Sequence, residues 1–178
     1  DARGVEGGRI EFVVISLLEL GSVCRDVRVR EACDAVANNF LRVISGRELL
    51  YVCSRLHGYI GFDVSVSVQQ RMLAAIAAPA GFAFVEQGGQ PMAMAIGAVE
   101  GDHMGLFDVL VTPQARRRGL ARRITESLYT WAWSRGARFA YLQVVATNAA
   151  AIPLYTDQGF RTVYAYEYFV PPAPPQTR

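Results

Sequence analysis

The sequence predicts an α/β (α+β) domain: a mixed, mainly antiparallel sheet flanked by helices. Three observations carry that prediction. From Ala80 onward, apolar stretches of strand length are separated by glycine-containing turns. One stretch among them repeats its apolar residues at helical rather than strand spacing. Hydrophobic residues make up 52% and charged residues 19% of 178 residues, enough to bury the core of one ordinary domain.

Gly81 to Gln87 alternates as a half-buried strand does, and Gly88-Gly89 supplies a hairpin turn. Pro91 to Val99 is the return strand, so continuously apolar that it is expected in the interior. Gly101-Asp102-His103 is the next turn and Met104 to Val111 a third strand. In the helix that follows, Leu120, Ile124, Leu128 and Trp131 form one apolar stripe, and Gly136 stands in the cap position. Phe139 to Val145 reads as a buried strand, Asn148 to Gln158 as a short helix closed by Gly159, and Phe160 to Val170 as a final strand. Residues 171–178 form a Pro-rich tail. The earlier half is less legible. Glu11 to Leu20 is an apolar run compatible with strand or helix, Val27 to Val43 favours a helix, and Gln69 to Ala78 a short helix ending before Pro79.

Composition removes several classes of function. All 18 basic residues are Arg, so a lysine Schiff base and a P-loop lysine are both excluded. The net charge of +2 implies no polyanionic partner. Cys24, Cys33 and Cys53 are odd in number with no CxxC pair, which argues against a disulfide frame and against a metal site. No apolar run reaches the roughly 18 residues of a membrane span, and the Gly-rich opening does not read as a secretion signal. A cytoplasmic location is expected.

Chemistry concentrates in Val111-Thr112-Pro113-Gln114-Ala115-Arg116-Arg117-Arg118-Gly119-Leu120-Ala121. This places a glycine-containing loop between a strand and a helix start, where N–H groups lack intrahelical partners and the helix dipole adds partial positive charge. Such a loop holds a phosphate without a lysine. The same residues also fit a solvated, Arg-rich helix entry.

Arg116-x-x-Gly119-x-Ala121, after a strand ending in Val-x-Pro, resembles the acetyl-CoA loop of the GCN5-related N-acetyltransferases. A second match follows in register: Leu142-Gln143-Val144, then Asn148-x-x-Ala151-x-x-Leu154-Tyr155-x-x-x-Gly159-Phe160. The resemblance spans roughly 80–170, which it marks as an acetyl-CoA-binding core. It implies an N-acetyltransferase moving the acetyl group of acetyl-CoA to an amine of a small molecule, amino acid or peptide, by direct attack in a ternary complex. By position, the backbone of Asp108, Val109 and Leu110 would pair with the cofactor arm. Amides from Arg116, Arg117, Arg118, Gly119, Leu120 and Ala121 would hold the pyrophosphate. Asn148 would contact the arm, and Tyr155 would protonate the departing thiolate.

Three departures stand out. Several members carry a glutamate base where this chain has Gln143, which accepts no proton. Asp108 is a candidate base, and Glu100 and His103 are weaker ones. Equally, an α-amino acceptor with a pKa of about 7.7–8.0 needs little help. Pro153 would fall about one turn into the short helix and bend it. The family's terminal hairpin lacks one strand here. That strand would come from residues 1–79, then a remnant of a degenerate acetyltransferase-like domain, or from a partner chain, and an unpaired edge favours a homodimer. A non-catalytic acyl-CoA-binding or regulatory module is the alternative reading. Nucleic-acid binding through Arg116, Arg117, Arg118, Arg122 and Arg123 is disfavoured, because no aromatic stacking pattern accompanies them.

Overall fold

A computed structural model describes residues 9–21 and 66–169. The expected helix over Val27 to Val43 and the Pro-rich tail lie outside the described residues. In chain order the elements are β1 (Arg9–Glu19), α1 (Val66–Ala74), β2 (Ala80–Gln87), β3 (Gln90–Glu100), β4 (His103–Val111), a 3-10 turn (Pro113–Ala115), α2 (Leu120–Ser134), β5 (Phe139–Val145), α3 (Ala151–Asp157) and β6 (Arg161–Phe169). The architecture is α/β with antiparallel pairing in the β1–β6, β2–β3 and β3–β4 ladders. The chain divides into two compact units, one of residues 19–141 and one of residues 1–18 with 142–178.

In the larger unit, β2, β3 and β4 form a meander, and α2 packs on all three strands. Side-chain size decides which face the helix takes. On one face of β2 and β3, Gly81 pairs with Gly97, Ala83 with Ala95 and Val85 with Ala93, and these mostly small residues leave room for a helix. A Cβ on Gly81 would lie 2.7 Å from the Trp131 ring, and one on Gly97 3.5 Å from Leu128 Cδ2. Ile124 and Leu128 are fully buried in that seam, whereas Trp131, the last residue of the predicted stripe, is half-buried over Gly81. The opposite face carries the large residues. Met94 and Ile96 are buried there, with Phe82, Phe84, Leu110 and Leu73 of α1 packed around them. Covered on both faces, β3 is apolar along nearly its whole length.

In the smaller unit, the strand order is β5-β1-β6. Glu11 to Leu20, ambiguous in sequence, is mostly strand: β1 runs antiparallel to β6 from Arg9↔Phe169 to Ser16↔Arg161. The strand beside β6 therefore comes from the N-terminal part of this same chain. The short helix begins later than its pattern suggests, at Ala151 rather than Asn148. Pro153 consequently falls in the first turn of the helix, where proline is tolerated, and not a full turn inside it.

Candidate active site

Three local structures hold the residues singled out in the sequence. The first is a bulge in β4. Met94 pairs with Leu110 and Ile96 with Phe107, so Asp108 and Val109 together face the single residue Ala95. Asp108 takes φ 48°, a left-handed conformation that Asp tolerates better than most residues. A bulge lifts its strand out of regular pairing and re-aims the backbone groups around it. The Asp108 side chain is exposed and Val109 and Leu110 are half-buried. Glu100 and His103, the weaker base candidates, sit opposite one another at the far end of the β3–β4 hairpin, where His103 Nδ1 lies 2.6 Å from Asp102 Oδ1. Asp108 lies five positions along the strand from His103, a span of about 16 Å. Neither residue belongs with the bulge.

The second structure is the loop into α2. Thr112 anchors it, its N–H donating to Met92 O at 2.9 Å and its side chain only 2% exposed. Among the described residues the Thr112 hydroxyl has no hydrogen-bond partner. After the 3-10 turn, Arg116 is extended, Arg117 takes φ 61° and Gly119 φ 72°. Gly119 is the N-cap, with no side chain capping the helix. The first intrahelical bond runs from Arg123 N–H to Gly119 O at 3.1 Å. The N–H groups of Leu120, Ala121 and Arg122 thus lack intrahelical acceptors, as at any helix start. A Cβ on Gly119 would meet nothing within 4 Å, so this position needs glycine for its dihedral and not for space. Arg116, Arg117 and Arg118 are exposed, and Arg118 reaches Gln87 Oε1 at 3.4 Å. Alternating backbone conformations, an uncapped helix start and guanidinium groups make a donor set suited to a pyrophosphate. The loop fits acetyl-CoA on those grounds.

The third structure fixes Tyr155. Phe160 N–H donates to Tyr155 O at 3.0 Å and Gly159 N–H to Thr156 O at 2.9 Å, with Gly159 at φ 97°. That is a Schellman closure, and its usual apolar contact is here the edge-to-face pair of Tyr155 and Phe160, centroids 5.8 Å apart. Tyr155 is 5% exposed, and burial pushes its phenol up to about 12. Asn148, expected on the cofactor arm, is an exposed residue whose Oδ1 accepts the Ala151 N–H at 3.1 Å. Its carbonyl takes N–H groups from Ala151 and Ile152. It caps the helix that carries Tyr155.

Sequence reasoning missed one interaction. Exposed Gln143 accepts a hydrogen bond from the Tyr166 hydroxyl at 2.8 Å. The alternation of β6 puts Tyr166 on a definite face, but nothing in the sequence says which residue, 23 positions away, lies under it. Among the described residues no group of three potential metal ligands occurs, and no helix is long and apolar enough to cross a membrane.

The chain resembles known proteins in sequence and in fold. A model of the acetyltransferase (GNAT) family matches residues 53–160. The ribosomal protein bS18-alanine N-acetyltransferase of Escherichia coli K12 is 42% identical over 74 residues, which is 42% of this chain and 50% of that protein. The enzyme of the same description from Salmonella typhimurium LT2 is 40% identical over 81 residues, 46% of this chain and 55% of the relative. The chain thus spans about half the length of the curated relatives it matches. Among solved structures, the ribosomal-protein-S18-alanine N-acetyltransferase of E. coli superposes with a TM-score of 0.56 at 24% identity, covering 79% of this chain and 97% of that one. A GCN5-related N-acetyltransferase from Sphaerobacter thermophilus gives 0.64 at 14% identity, covering 94% and 55%. Both share the fold.

Proposed function

Because the chain belongs to the acetyltransferase (GNAT) family, we propose that it is an N-acetyltransferase that uses acetyl-CoA to acetylate an amine, with a peptide amino terminus as the acceptor. The observation that carries the donor is the loop from Arg116 to Ala121, which offers backbone N–H groups and guanidinium groups to a pyrophosphate and asks for no metal. The acceptor is suggested by the curated relatives, named for acetylating the alanine of a ribosomal protein.

Acetyl-CoA, when bound, supplies an activated acyl group on a thiol leaving group. The chain's own residues supply the rest. Backbone N–H groups around the Asp108–Val109 bulge, re-aimed by the break in register, are the donors for the cofactor arm and for negative charge developing on a carbonyl oxygen. Tyr155, neutral throughout the working pH range, donates its proton towards sulfur as the carbon–sulfur bond breaks. Gln143 withdraws no proton, so the acceptor must arrive as a neutral amine. An α-amino group with a pKa of about 7.7–8.0 meets that condition near neutral pH far better than a lysine side chain at about 10.4.

Calorimetric titration with acetyl-CoA tests the donor half. Micromolar binding is expected, weakened at least tenfold in Gly119→Val, because a β-branched residue resists φ 72° and would move the N–H groups around it. An amine screen with short peptides tests the acceptor half. Gln143 also favours the second reading, a non-catalytic acyl-CoA-binding module. Tight binding without transfer to any α-amine would establish it.

A further inference from the structure

The exposed face of the smaller unit carries a polar group that the acetyl-transfer scheme leaves unused. Leu142 and Val144 point inward at 3% and 7% exposure, so Gln143 and Val145 share the outer face of β5. On β6, Tyr164 and Tyr166 are two residues apart and therefore on one face, with ring centroids 6.3 Å apart. The Tyr166 hydroxyl donates to Gln143 Oε1 at 2.8 Å, which places that face over Gln143. Tyr164 is 56% exposed and Val145 37%, large values for residues of their type on a sheet.

The chemistry of the pair is specific. Tyr166 uses its single proton on the amide oxygen, and that bond orients the carboxamide. With Oε1 engaged, Gln143 retains its two N–H donors, neither partnered among the described residues. Such a group recognises an uncharged oxygen and does not remove protons. We propose that Gln143 binds the acceptor by donating to the main-chain carbonyl next to the reacting amine, and that Tyr166 is the positioning residue that aims it. The acceptor class is then an α-amino peptide, since a simple amine has no such oxygen, with the Tyr164–Tyr166 rings flanking its backbone. The inference rests on the acetyl-transfer reading and narrows its substrate.

The test compares a short alanyl peptide with its analogue in which the first carbonyl is a methylene. For wild type, Q143A, Q143E and Y166F, the ratio of kcat/KM for the peptide to that for the analogue is measured. Loss of one hydrogen bond should lower the ratio by about 3- to 10-fold in Q143A and in Y166F, in Y166F through KM and not kcat. Q143E keeps an oxygen for Tyr166 but has no donor, so its ratio should fall at least as far as that of Q143A. A merely structural pin would instead be restored by Q143E. In parallel, isotope-labelled protein with CoA is titrated with the peptide, and the Gln143 side-chain amide resonance should shift. An unshifted resonance at saturating peptide, or a ratio unchanged across all three variants, overturns the proposal. If neither acceptor is acetylated but the resonance shifts, the acetyl-transfer reading fails while the peptide contact stands.

Discussion

Replacing Tyr155 with Phe removes one oxygen from a side chain that is 5% exposed, and the size of the effect follows from the environment of that oxygen. Burial raises the phenol to about 12. A thiol with a pKa of about 8.5 is the stronger acid by about 3.5 units, so complete proton transfer from Tyr155 to the leaving thiolate would be uphill by about 5 kcal/mol. Tyr155 is thus a hydrogen-bond donor to developing charge rather than a full general acid. The loss expected of Tyr155→Phe is that of a hydrogen bond to a charged group, about 1.5–3 kcal/mol, or about 10- to 150-fold in kcat. It is not the larger range, up to about 10⁴-fold, open to a well-matched acid. The assay is thiol release at saturating acetyl-CoA and peptide, with acetyl-CoA affinity measured separately by calorimetry and expected to stay within about twofold. Among the described residues the hydroxyl has no hydrogen-bond partner, so the variant should be as stable as wild type or up to about 1 kcal/mol more stable. Its alkaline behaviour gives an independent check. The phenol is neutral more readily folded than unfolded, so its stabilising contribution is complete below pH 10 and disappears as the pH rises to about 12. Wild type should lose about 2–3 kcal/mol across that window that Tyr155→Phe retains. Unchanged kcat in a folded variant would refute the assignment of Tyr155, and a collapse of acetyl-CoA affinity would mean that the hydroxyl serves cofactor binding and not the bond-breaking step.

Three further outcomes follow from the same geometry. Asp108→Val should destabilise by about 1–3 kcal/mol in denaturant melts, because a β-branched residue resists φ 48°, whereas Asp108→Gly should cost under about 1 kcal/mol; equal costs would mean that the bulge relaxes freely. Gly81→Ala should destabilise by about 1–3 kcal/mol, since its Cβ would lie 2.7 Å from Trp131, and adding Trp131→Leu should recover most of that loss. Leu128→Ala, at a fully buried position between α2 and the sheet, should cost about 2–5 kcal/mol and lower the melting temperature without changing the acetyl-CoA affinity of the remaining folded protein.

The sequence by itself determined what depends on neighbours along the chain. The run Tyr155-x-x-x-Gly159-Phe160 specifies its own closure, because the bonds that end α3 and the Tyr155–Phe160 contact span only five residues. The anion loop is legible for the same reason, with Gly119 and the free N–H groups of the α2 start lying within a few positions of each other. The apolar stripe of α2 likewise announces a helix with one face packed against the core. What only the tertiary structure decided are relations between distant strands. Glu11 to Leu20 became mostly strand because β6 offers it an edge to pair with, and no local preference chose between strand and helix. The bulge at Asp108 is a mismatch of count between β3 and β4, and a mismatch has no signature in either strand alone. Tyr155 acquires its raised pKa from burial, which is a property of its surroundings and not of its motif. Gln143 looks in sequence like a missing base. Tyr166, 23 residues further on, donates to its amide oxygen and orients the carboxamide, because a hydrogen bond across a sheet is fixed by register and not by spacing.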